Sequence, residues 1–187
     1  MSARDVGELA YLLRFGLYAH TAALEIARDP AASTSALTSG SAEGVVHCRD
    51  GSERPFDLRH VIELMRNEPA LSDELDRAWC VSSLMLLGDS LSAENYFDRA
   101  PVLEMVRHLR NAVAHGNRFT LRNPKELRAW PAHMRDASCR TANPPEITQE
   151  RDGDRVLFDF MAPGDVLDLL ISVGTHLLSL HEAANSN

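Results

Sequence analysis

Between Glu104 and Asn117 the chain reads EMVRHLRNAVAHGN, and its polar residues are of types that hold anions and move protons. Arginine presents N–H donors in a planar fork that fits an oxyanion. Histidine exchanges a proton near neutral pH, as acid or as base. Arg110, Asn111 and His115 are spaced R-N-x-x-x-H, so in a helix the Asn111 amide lies one turn before His115 and can reach its ring. Arg110 and His115 stand about 140° apart around such a helix, and one copy of the motif does not close into a compact site. Each residue also has a plainer use. Arg110 could pair with a carboxylate from another helix, Asn111 could be a satisfied buried amide, and His115 could be a cation placed at a helix C-terminus. His108 lies seven residues before His115, but nothing nearby supplies the further ligands of a metal site.

The element that must position these residues is an amphipathic helix. At about 100° per residue, Val102, Met105, Val106, Leu109 and Val113 form one apolar stripe, and Arg107, His108, Asn111, Ala114 and His115 share the opposite face. A solvated face would ordinarily carry Glu and Lys paired four apart, whereas this one has Glu104 as its single carboxylate. Pro101 suits the first turn, and Gly116 occupies the C-cap position.

Elsewhere the hydrophobic period predicts a helix over residues 4–28 stopped by Pro30, and a second over 58–67 with Asp57 as N-cap and Pro69 as stop. A third opens at Ser72 with acids in its first turn and runs through Trp79, a core anchor, to Leu91. Gly88 inside it allows close packing by a neighbour. A last helix starts at Pro163 and Asp165 and frays over residues 183–187. The Ala/Ser/Thr/Gly-rich stretch 29–55 reads as a flexible loop, with Val45-Val46-His47-Cys48 as a short strand entering an Asp50-Gly51 turn. Residues 118–145 are basic and irregular, with a short helical piece over 125–130. Residues 146–160 read as a β-hairpin around Asp152-Gly153. Four substantial helices with short or irregular joins make an all-α bundle carrying a hairpin before its last helix, in one domain over 1–187.

Composition narrows the function classes. The 187 residues carry a net charge of −8, which argues against a general nucleic-acid binder. From Pro101 to Arg140, however, eight basic residues face three acidic ones, a local +5 that leaves −13 for the remainder. A basic segment in an acidic body suggests a local anionic partner. The three cysteines lack zinc or redox spacing, and no apolar run suggests secretion or a membrane span. The expected setting is the cytoplasm.

On Arg110, the polar Asn111 directly after it, and His115 followed by Gly116-Asn117, the chain resembles the HEPN domain family (higher eukaryotes and prokaryotes nucleotide-binding). The flanking Leu109 and Val113 and the terminal helix after Asp165 also suit that family's up-and-down bundle. The resemblance implies a metal-independent endoribonuclease that needs no cofactor and works as a homodimer, with two motif copies lining one cleft. In that setting Arg110, Asn111 and His115 are the catalytic set, and Arg107, His108, Asn117 and Arg118 contact RNA. A role as a toxin or defence effector, held by an antitoxin or regulatory protein, is implied as well. Some members carry a Tyr two residues after the His that a partner enzyme modifies; Asn117 stands here instead. The alternative is a non-catalytic module on the same fold that dimerises or binds a partner protein or nucleotide.

Overall fold

The computed structural model describes residues 2–32, 43–135 and 143–186. Among them are five helices of ten residues or more: α1 (Ala3–Arg28), α2 (Leu58–Asn67), α3 (Pro69–Ala93), α4 (Pro101–Ala114) and α5 (Pro163–Asn185). Four short strands complete the regular structure: β1 (Glu43–His47), β2 (Glu53–Asp57), β3 (Ala132–His133) and β4 (Glu146–Ile147). The chain is mostly helical, and no described helix is long and apolar enough to cross a membrane. It divides into two compact units, Tyr18–Asp76 and the remainder, with α1 and α3 each contributing to both.

The Tyr18–Asp76 unit holds the second half of α1, the β1–β2 hairpin, α2 and the first turns of α3. Asp57 caps α2 as its sequence position requires, its carboxylate accepting from the His60 N–H at 3.1 Å. Leu24, Ala27 and Ile62 are the buried apolar side chains among its described residues, and Arg66 Nε donates to the Ala27 carbonyl. His20 pairs with Asp76 at 2.9 Å. The expected loop is partly a hairpin: β1 and β2 pair antiparallel from Glu43↔Asp57 to His47↔Glu53. Its turn needs Gly51 at φ +82° and is tied by Asp50, whose Oδ1 accepts from both the N–H and the hydroxyl of Ser52. The Pro within β2 had concealed that strand, since Pro cannot donate to a ladder. Residues 33–42 of the expected loop lie outside the described residues. Pro69 both ends α2 and opens α3, three residues before the expected start, so Ser72 is a buried residue inside the helix rather than its cap.

The larger unit is organised around α4. Its apolar stripe is buried as the spacing predicts, except that Val113 is only half-buried. Leu103, Glu104, His108 and Ala112 are buried as well, so the helix is surrounded on nearly every side until its last turn. Leu84, Leu87 and Leu91 of α3 and Leu169, Leu170, Val173 and Leu177 of α5 belong to the same core. The supposed polar face is covered by the segment after Asn123, which runs through a 3-10 turn (Pro124–Glu126) to β3, packed on α4. The helical piece expected over 125–130 is that single turn.

The hairpin expected over 146–160 does not form. β4 pairs instead with β3, Ala132 opposite Ile147 and His133 opposite Glu146, and Arg135 makes an ion pair with Glu146 beside that ladder. Asp152 and Gly153 do turn, with Gly153 at φ +87°, but the flanking backbone pairs with residues 117–121. Phe119 N–H donates to Asp154 O, Gly153 N–H to Phe119 O, and Val156 N–H to Asn117 O, each at 3.0 Å. Residues 156–161 then fold into a tight turn through Phe158 at φ +72°. α5 begins at Pro163 with Asp165 accepting from the Ala162 N–H at 2.9 Å, and it continues to Asn185 where fraying was expected.

Candidate functional site

The R-N-x-x-x-H motif occupies the last turn and a half of α4, where the helix emerges from the core. Arg110 is half-buried and crosses α3 at Gly88. A Cβ built on Gly88 would lie 2.5 Å from Arg110 Cγ and 2.7 Å from its Cβ, so only glycine permits this crossing. The close approach brings the guanidinium to the next residue of α3: Asp89 Oδ1 accepts from Arg110 Nε at 2.9 Å and from Nη2 at 2.6 Å. Arg110 Nη1 donates to Asn111 Oδ1 at 3.4 Å. Of the five guanidinium N–H groups these contacts use three, leaving one on Nη1 and one on Nη2.

His115 is the C-cap residue of α4, at φ −118°, ψ 45°, and its N–H bonds the Asn111 and Ala112 carbonyls. It is exposed, and its ring makes no hydrogen bond among the described residues. Gly116 follows in the left-handed region at φ +87°, and the Asn117 N–H returns to Ala112 O at 2.8 Å, the six-to-one bond of a Schellman ending. The structure thus joins Arg110, Asn111 and Asp89 and leaves His115 apart from them.

The four residues expected to contact RNA have different fates. His108 is 4% exposed, with the Trp130 ring edge-on at a centroid distance of 5.2 Å; a side chain so enclosed does not meet a polymer. Its place on the polar side of the helical wheel had suggested exposure. Asn117, at φ +60°, spends its amide on the backbone of Leu157, donating to that carbonyl at 3.2 Å and accepting from that N–H at 2.9 Å. Arg118 is exposed and donates to Gly153 O at 2.8 Å. Arg107 is half-buried and bound to Glu104, Nε to Oε1 at 2.5 Å.

Glu104 is the residue whose importance the sequence understated. It is 0% exposed. Burial alone would raise its carboxyl, but hydrogen bonds from His108 and Arg107, with Arg107's charge, outweigh that and hold it below its ordinary value. His108 Nε2 lies 3.0 Å from Arg107 Nη2 and 3.4 Å from Glu104 Oε1. A guanidinium only donates, so Nε2 accepts from Arg107 when it carries no proton and donates to Glu104 when it carries one. Glu104 Oε2 has no partner among the described residues. Beside this group lies a cavity of about 390 Å³ lined by Ser92, Asn95, Phe97, Asp98, Glu104, Arg107 and Leu127. Among the described residues no three His, Cys, Asp or Glu side chains converge as a metal site.

Comparison of the chain with protein-family models, with curated proteins and with solved structures finds no match in any of the three. The functional reading therefore rests on the residues and their arrangement.

Proposed function

We propose that the protein is a metal-independent endoribonuclease of HEPN type, with Arg110, Asn111 and His115 as its catalytic set and a site completed by a second copy of the chain. The observation that carries the reading is the fixed Arg110 guanidinium. Asp89 and Asn111 engage three of its N–H groups, and the remaining pair suits the oxygens of a phosphodiester. His115 supplies the proton transfer: its ring takes the proton of a ribose 2′-OH, whose oxygen attacks phosphorus. The P–O5′ bond breaks, a 2′,3′-cyclic phosphate forms, and the 5′-oxygen leaves with a proton from an acid. Arg110 stabilises the negative charge gathered on the phosphoryl oxygens. The partner's motif supplies the second proton-transfer group, because Arg110 and His115 of one chain diverge around α4. A toxin or defence role, restrained by a protein partner, belongs to the same proposal.

One observation favours a second reading. Asp89 already neutralises Arg110, and the whole chain is acidic, which fits a module that binds a protein or nucleotide without turnover. End-labelled RNA incubated with the purified protein in excess EDTA separates the two. Cleavage leaving 2′,3′-cyclic ends, lost in folded His115→Ala and Arg110→Ala, supports the ribonuclease. Equal inertness of all three proteins overturns it and leaves the binding module. Sedimentation at micromolar concentration tests the dimer, and a strictly monomeric, active protein would refute the composite site.

A further inference from the structure

The cavity next to Glu104 is lined by groups of opposite hydrogen-bonding character. Glu104 and Asp98 carry acceptor-only carboxylates, Arg107 carries donors alone, and Phe97 adds an aromatic ring while Leu127 adds an apolar surface. Its volume, about 390 Å³, falls at the lower end of small-ligand sites. The decisive feature is Glu104. A fully buried carboxylate normally has both oxygens satisfied, because an unmet buried acceptor is costly. Here Oε1 is held by Arg107 while Oε2 has no partner among the described residues. Arg107 is likewise half-used: Nε and Nη2 face Glu104 and His108, and Nη1 has no partner among the described residues. The cavity lining therefore includes a buried carboxylate oxygen and a guanidinium nitrogen that both lack partners among the described residues.

We propose that this cavity is a nucleobase subsite that reads guanine. Of the four RNA bases, guanine alone presents two adjacent N–H donors, N1–H and the N2 amino group, with the acceptor O6 beside N1–H and N7 on the next edge. The donor pair matches carboxylate oxygens, O6 and N7 match the arginine, and a splayed-out base stacks on an aromatic side chain. Adenine and cytosine each set a ring acceptor against the carboxylate, and uracil has a single donor flanked by two acceptors. Glu104, His108, Asn111 and His115 recur at intervals of three and four residues along α4, so the subsite lies on the same side of the helix as Asn111 and His115 of the motif. The claim that the bound base belongs to an RNA strand rests on the ribonuclease reading; the base specificity does not.

The test is ligand-detected saturation-transfer NMR on the intact protein with guanosine, inosine, adenosine, cytidine and uridine 5′-monophosphates. Guanosine monophosphate is expected to bind about tenfold or more tightly than adenosine monophosphate, and inosine monophosphate, lacking the N2 amino group, between them. Leu127→Trp, which fills the cavity, should abolish the guanosine signal, and Asp98→Asn, an exposed change compatible with folding, should weaken it severalfold. Glu104→Gln should remove the preference for guanine where circular dichroism shows it folded. His115→Ala should bind guanosine monophosphate as the wild type does. Equal binding of the nucleotides, no binding, or guanosine binding that survives Leu127→Trp overturns the proposal. Guanine-selective binding by a protein that cleaves no RNA would sink the ribonuclease reading alone. Cleavage without any preference at guanine, together with unselective nucleotides, would sink the subsite alone.

Discussion

Replacing Gly88 by alanine sets two physical effects against each other, and the structure decides the sign. In an exposed helix interior the change would stabilise by about 1 kcal/mol, because alanine loses less backbone freedom. At this crossing the new methyl would stand 2.5 Å and 2.7 Å from Arg110 Cγ and Cβ. Those atoms are fixed close to the α4 backbone, so swinging the guanidinium aside gives no relief, and the two helices must separate. Overpacking of this kind costs about 1–3 kcal/mol, leaving a net loss of up to about 2 kcal/mol after the propensity gain. Losing the Asp89–Arg110 pair adds little, since its side chains are 30% and 57% exposed and such pairs are worth under about 1 kcal/mol. Urea denaturation of wild type, Gly88→Ala and Asp89→Asn separates packing from charge. Asp89→Asn should stay within about 1 kcal/mol of wild type, and Gly88→Ala should fall below wild type with RNA cleavage reduced. Repeating Gly88→Ala in an Arg110→Gly background should return it to stabilising. A Gly88→Ala protein about 1 kcal/mol more stable than wild type would refute the close crossing, and with it the placement of Arg110.

Two further substitutions test the surroundings of the motif. Asn117→Ala removes two hydrogen bonds to Leu157 and puts alanine at φ +60°, so a loss of about 2–4 kcal/mol in thermal unfolding is expected. Asn117→Gly keeps the backbone easy and should lose less; equal losses would mean that the amide matters and the conformation does not. Glu104 governs a pH response. Its carboxyl is held below the ordinary value of 4.5 in the folded chain, so its contribution is complete above that value and disappears as the pH falls through the lower, folded one. Denaturation midpoints measured from pH 7 to pH 3 should therefore drop less steeply for a folded Glu104→Gln than for wild type; parallel curves would show that Glu104 is not ion-paired.

What the sequence revealed was governed by range. The α1 and α2 boundaries and the start of α5 were legible because caps and prolines act within a turn: Asp57 marks α2 and Asp165 marks α5 without help from distant residues. The α4 stripe was legible for the same reason, and Gly88 was correctly singled out as a point of close approach. Its neighbour was not, because nothing local ties Asp89 to Arg110, 21 residues on. Strand partners failed similarly. The alternation in Val156-Leu157-Phe158-Asp159-Phe160 resembles a strand, but its early residues pair with 117–121 and its later ones turn. The polar side of α4 misled because a Glu–Arg–His group whose members pair with one another can be buried, and periodicity reads only residue type.

The β1–β2 ribbon has a consequence in how the protein breathes. It is a two-stranded sheet with no third strand beside it among the described residues, and nearly all its residues are exposed on both faces. Ribbons of this kind are marginal by themselves, so its hydrogen bonds open at a small fraction of the free energy needed to release those of α4. Its two edges are also unequal. Pro55 interrupts the donors of β2, whereas β1, with Val45 and Val46 exposed, keeps an unbroken row. An added strand would therefore find the more complete row of donors on β1.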